Sequence, residues 1–156
     1  MEAIHAESAW QYQDKLSRTS EGKAAIKVGI SDAGFDMNHE DLRLTSITSD
    51  VTEHYHGTHV AGTIGGIGNN GTGVTGVLWN ADTIVKSQMG TSNVVELIQN
   101  GAKVVNCSWG LAFPSEAAGR SGGIKAANAM AKLLDQGYDF LVVQSLSLIH
   151  ISEPTR

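Results

Sequence analysis

The strongest constraint on the fold is a set of short, apolar, β-branched runs separated by stretches suited to helices. Residues 24–30, 82–87, 104–108 and 140–143 are each too short for a helix and carry little of the alternation of a half-exposed strand. The runs at 24–30 and 104–108 read as buried strands, and strands alternating with helices predict a parallel sheet, which needs both faces covered. Helix-compatible segments fall between them or before them: residues 7–16, 57–64, 93–99 and 124–134. Ser92 is the expected cap of the third, Asn100 and Gly101 its stop, and Gly137 the stop of the fourth. A further short strand is expected at residues 44–48, and a glycine-rich loop at residues 65–77. The fold class is therefore α/β. No internal repeat or domain linker divides the 156 residues, which suffice for one core.

Composition narrows the function classes. With 11 basic and 16 acidic residues the net charge is −5, so the chain has no electrostatic footprint for nucleic acid or an anionic membrane. No apolar run is long enough to span a bilayer, and the first ten residues do not read as a signal peptide. The single cysteine, Cys107, rules out an internal disulfide; inside an apolar strand it reads as a small hydrophobe, not a nucleophile. The 18 glycines are not periodic and point to tight turns and close backbone approaches.

Three local patterns carry chemistry. The G-x-G-x-x-G match from Gly66 to Gly71 follows a helix and enters a loop, the wrong context for a dinucleotide site. His54, His56 and His59, completed by Asp32 or Asp36, form a candidate zinc set, but no glutamate lies between the histidines as in H-E-x-x-H. The third pattern joins distant segments. Asp32 closes the run Val28-Gly29-Ile30-Ser31-Asp32-Ala33-Gly34, and His56 opens His56-Gly57-Thr58-His59-Val60-Ala61-Gly62-Thr63. A later strand ends in Asn106-Cys107-Ser108-Trp109-Gly110. Sites in parallel sheets form beyond the carboxyl ends of strands, where an aspartate can orient an imidazole through Nδ1 and leave Nε2 to accept a proton.

Those residues, together with His39-Glu40-Asp41-Leu42, resemble the subtilisin-like serine proteases (subtilases), whose triad runs Asp, His, Ser along the chain. The resemblance extends over about residues 4–145. It implies a three-layer subtilisin-like fold with a parallel sheet, and serine endopeptidase activity on polypeptide substrates. It implies Asp32 as the triad acid and His56 as the general base, with His59 packed within its helix and His54 a solvated loop residue. Ser108, Trp109 and Gly110 resemble the strand that pairs with substrate backbone. Ala33 departs from the family, which usually has serine or threonine there to support the aspartate. The glycine-rich loop resembles a calcium-binding loop, implying structural calcium held by the Asp41 carboxylate, the Asn70 side chain, and the Thr72 and Val74 carbonyls. A secreted, monomeric parent enzyme is the corresponding expectation.

Two family parts have no match: a nucleophilic serine in G-T-S-x-[AS] and an oxyanion-hole asparagine, whose expected place is held by Leu148. Residues 146–156 read as the translation of a transposon-end sequencing adaptor and are set apart as a non-native tail. Residues 1–145 are thus expected to be the N-terminal portion of a catalytic domain, truncated before its C-terminal part and inactive alone. The alternatives are a non-catalytic peptide-binding module and a zinc hydrolase built on His54, His56 and His59.

Overall fold

The computed structural model describes residues 4–17, 26–79 and 81–145. The elements in chain order are α1 (Ala6–Ser17), β1 (Lys27–Asp32), β2 (Leu44–Ser46), α2 (Tyr55–Gly65), β3 (Asp82–Ser87), α3 (Thr91–Gln99), β4 (Val104–Cys107), α4 (Glu116–Asp135) and β5 (Leu141–Gln144). The five strands form one parallel sheet in the order β2-β3-β1-β4-β5. The expected strand at residues 24–30 begins later, at Lys27; residues 24 and 25 lie outside the described residues, as do Leu148 and the tail at 146–156.

The period-2 alternation of side chains divides the core between the two faces of the sheet. Ile30 of β1 and Val85 of β3 join Phe35, in the segment after β1, and Ala61 of α2, with Val60 and Ile64 packed alongside. Ile84 and Val105 point the other way, onto Val94, Leu97 and Ile98 of α3 and Leu133 of α4. The result is three layers, with α2 on one face and α3 and α4 on the other. Gly29 lets α3 descend onto β1: a Cβ there would meet Ala102 at 3.0 Å and Leu97 at 3.2 Å. Only β4 flanks β5 among the described residues, and Leu141 and Val143 are exposed on it.

Three helix starts differ from expectation by two residues or more, and α2 begins at Tyr55, two residues before the expected 57. α3 is capped by Gly90, at φ 143°, whose carbonyl accepts from the N–H groups of Asn93 and Val94; Ser92 lies within the helix. α4 begins at Glu116, eight residues before the expected start at Ile124, with Ser115 Oγ accepting the Ala118 N–H at 3.2 Å. Glycine weakens a helix by about 1 kcal/mol, so Gly119, Gly122 and Gly123 hide this first half from propensity reasoning. Packing explains two of them: the Phe113 ring lies across Gly119 and Gly122, and a Cβ at Gly122 would come within 2.7 Å of the ring.

Candidate active site

Asp32 is the last residue of β1, the central strand of the five, and stands in register with Ser87 of β3. This central position leaves the carboxylate 1% exposed. Its Oδ1 accepts the Ala33 N–H at 2.7 Å, while Oδ2 has no hydrogen-bond partner among the described residues. A buried charge is held only where donors face it. Ala33 contributes its backbone N–H and has no hydroxyl to offer.

The remaining donor to Oδ1 comes from α2. The Nδ1 of His56 lies 2.6 Å from Asp32 Oδ1, with the His56 side chain about half exposed. Two glycines permit this approach. A Cβ on Gly57 would fall on the Gly34 carbonyl oxygen and reach 3.0 Å from both Asp32 Cβ and the Phe35 ring; one on Gly34 would strike the Thr52 carbonyl. That carbonyl accepts the Phe35 N–H at 2.8 Å, and the Thr52 N–H donates to Ser87 Oγ at 3.1 Å. The segment leading into α2 is thereby tied to the strand ends beside Asp32.

The bond to a carboxylate fixes the His56 tautomer with its proton on Nδ1, so the Nε2 lone pair faces outward. An imidazole oriented in this way is chemically able to accept a proton at Nε2. The other histidines do not assemble around it. His59 is exposed on α2, not packed within the helix, because the buried face of α2 is lined by Gly57, Ala61 and Gly62. His54 is not a solvated loop residue: it is the N-cap of α2, and its Nδ1 accepts the His56 N–H at 3.1 Å. Asp36 closes a turn by accepting the Asn38 N–H at 2.9 Å. With the Nδ1 atoms of His54 and His56 so engaged, no group of three or more His, Cys, Asp or Glu residues is placed to hold a metal among the described residues. The ligand set of the zinc alternative is not formed. His54 escaped sequence reasoning because histidine is absent from the preferred caps Ser, Thr, Asp and Asn.

Ser108, Trp109 and Gly110 follow β4 at the same end of the sheet as Asp32, in an irregular segment. The Trp109 indole N–H donates to the Ser31 carbonyl at 2.9 Å and to Ser31 Oγ at 3.2 Å, fastening this segment to the strand that carries Asp32. The Trp109 carbonyl accepts from the Gln144 side chain and from Ser145 Oγ, beyond β5. No sequence spacing announces the Ser31–Trp109 bond, which joins residues 78 positions apart.

Asp41 is 1% exposed beneath the glycine-rich loop. Its Oδ2 accepts the Val74 N–H at 2.7 Å and its Oδ1 accepts Asn70 Nδ2 at 2.7 Å; Asn70 Oδ1 in turn accepts the Thr72 N–H at 3.2 Å. The Val74 N–H, first, and the Asn70 amide, second, hold the Asp41 carboxyl below its ordinary pKa. Gly73, at φ 60°, is required here, since a Cβ would collide with this carboxylate. The Asp41 carboxylate, the Asn70 side-chain oxygen and the loop carbonyls are of the oxygen type a hard cation such as calcium prefers, while both Asp41 oxygens and Asn70 Oδ1 accept hydrogen bonds from within the loop. Cys107 is buried on β4, its thiol pushed up to about 11 by burial and secondarily by the charge of Asp32.

The layered parallel sheet, with an aspartate at the end of its central strand and an imidazole delivered by α2, has the architecture of subtilisin-like proteases. Residues 23–147 match the Subtilase family, and the chain belongs to that family. It is 37% identical over 114 residues to Subtilisin DY of Bacillus licheniformis, covering 62% of this chain and 41% of that protein. It is 28% identical over 131 residues to halolysin of Haloferax mediterranei, covering 69% and 24% respectively. Among solved structures, the nisin leader peptidase NisP from Lactococcus lactis superposes with a TM-score of 0.57 at 21% identity, over 83% of this chain and 46% of that one. The prenylagaramide maturation protease PagA gives 0.53 at 20% identity, over 83% and 49%. The chain therefore spans less than half the length of these relatives.

Proposed function

We propose that the protein is a serine-type endopeptidase in which Asp32 is the triad acid and His56 the general base. The observation that carries this reading is the 2.6 Å contact from His56 Nδ1 to the buried Asp32 carboxylate. In this reading a serine hydroxyl attacks the scissile carbonyl while Nε2 of His56 takes its proton. Asp32 stabilises the resulting imidazolium, which then protonates the leaving amine. Among the described residues no hydroxyl is bonded to the His56 ring. The nucleophile and the oxyanion-hole asparagine are assigned to sequence beyond these residues, and residues 146–156 to a non-native tail.

Ser108, Trp109 and Gly110 are proposed to line the bound polypeptide, supported by their position at the strand ends beside Asp32. Asp41, Asn70, Thr72 and Val74 are proposed to hold a structural calcium ion, whose chemistry there would be to neutralise the buried Asp41 charge. Secretion and a monomeric state belong to the same reading, by family.

A fluorophosphonate probe and a peptide ester substrate test the assignment. The full-length protein is expected to be labelled and to turn over substrate, with His56→Ala abolishing both. Residues 1–156 alone are expected to do neither. Undiminished labelling of the His56→Ala protein would refute the choice of base.

A further inference from the structure

His54 precedes α2 in an extended conformation, φ −154° and ψ 134°, and accepts the His56 N–H on its Nδ1. An imidazole accepts at Nδ1 only when that nitrogen is unprotonated, so the neutral His54 ring carries its proton on Nε2. His56 holds the opposite tautomer, fixed by Asp32. The His54 carbonyl accepts from the Thr58 N–H at 3.3 Å and from Thr58 Oγ1 at 2.8 Å. Thr58 Oγ1 in turn accepts the Asp36 N–H at 2.8 Å. The His54 ring and carbonyl thus close the first turn of α2, and Thr58 Oγ1 ties that turn to the segment that follows Asp32.

The usual capping side chains keep their acceptor throughout the neutral range, and histidine does not. A doubly protonated imidazole offers two donors and no acceptor, so it cannot cap, and its charge opposes the positive end of the helix dipole. We propose that His54 is a positioning residue for the base: its neutral ring holds the helix end that carries His56, and its protonation releases that end. The proposal rests on reading His56 as the base. The titratable groups around His54 are the Tyr55 ring stacked on it at 4.7 Å, Glu53 before it, His56 after it, and Asp32 and Asp36 flanking Gly34, which approaches its Cβ.

The test uses the full-length protein labelled with ¹⁵N-histidine, followed by NMR from about pH 8 to about pH 5. The His56 amide is expected to lose protection from exchange in step with titration of the His54 ring. In His54→Asn, whose amide oxygen caps at every pH, protection is expected to persist. An amide indifferent to the His54 titration, or identical in both proteins, overturns the proposal. In turnover, His54→Ala is expected to lower kcat by up to about tenfold with little change in KM, the ceiling set if all of the roughly 1 kcal/mol of a lost cap is withdrawn from positioning His56. His54→Asn is expected to restore kcat and remove one ionisation from the acid limb of its pH profile; an unchanged acid limb overturns the proposal. The amide measurement needs no turnover, so it decides the cap even if the peptidase reading fails.

Discussion

The Nδ1 of His56 meets Oδ1 of Asp32 at 2.6 Å although 24 positions separate them in the chain. The contact depends on two constraints. Asp32 ends a strand buried between two others, which makes its position rigid. His56 sits in the first turn of a helix that is held against the same strand end by Gly34 and Gly57. Neither constraint involves the side chains that would do the chemistry, so both are open to mutation away from the reacting atoms.

His56→Ala and His59→Ala are expected to behave differently in the full-length enzyme. Removal of the base in a triad of this type lowers kcat by about a million-fold, the scale known for subtilisin. His59 is exposed on α2, and its removal is expected to leave both kcat and stability nearly unchanged, within about 0.5 kcal/mol. Steady-state kinetics with urea unfolding checks the pair, and a large effect of His59→Ala would contradict its placement.

Gly57→Ala is expected to damage activity without touching a reacting group. The added methyl would occupy the place of the Gly34 carbonyl oxygen, so α2 must move away from Asp32. Overpacking of this kind costs about 1–3 kcal/mol, and the displacement separates His56 from its carboxylate. A kcat and a melting temperature equal to wild type would show that the two backbones are not in contact.

Acid stability is expected to depend on Asp41. Its folded-state pKa is held below the ordinary value, so its contribution is complete above the unfolded-state pKa and is lost as pH falls through the folded-state one. The stability gap between wild type and Asp41→Asn should therefore shrink as pH falls below about 4. Unfolding curves at several acid pH values measure it. Calcium is expected to raise the melting temperature of wild type and not of Asp41→Ala, as a ligand of the native state does. A melting temperature constant across the titration would remove the calcium assignment.

Cys107 is expected to resist thiol reagents at about pH 8 in the folded protein and to react at once in denaturant. Its folded pKa of about 11 lies above the ordinary thiol value of 9.0, so the neutral thiol favours the fold. That contribution is present below the unfolded pKa and is lost as pH rises through the folded one. Rapid labelling of native protein with a disulfide reagent would contradict the burial of β4.

The α/β class and the strands were legible in the sequence because each has a local cause. Buried parallel strands need short β-branched runs, and β3 was expected at residues 82–87, where it lies. Asp32 and His56 are singled out differently, by the resemblance of Asp32-Ala33-Gly34 and His56-Gly57-Thr58-His59 to a family's motifs, and the structure brings the two side chains together. What was not legible depended on partners far away in the chain. Gly122 in α4 reads as a helix breaker until the Phe113 ring is seen lying on it. His59 looks as significant as His56 until the helix is oriented, when one ring faces solvent and the other faces Asp32. His54 becomes a cap only once α2 begins at Tyr55. Residue pattern determined which segments form strands and helices, since propensity and burial period act over a few neighbours. The tertiary structure alone decided which polar groups meet, because a hydrogen bond requires a distance and an angle that only the packed backbone supplies.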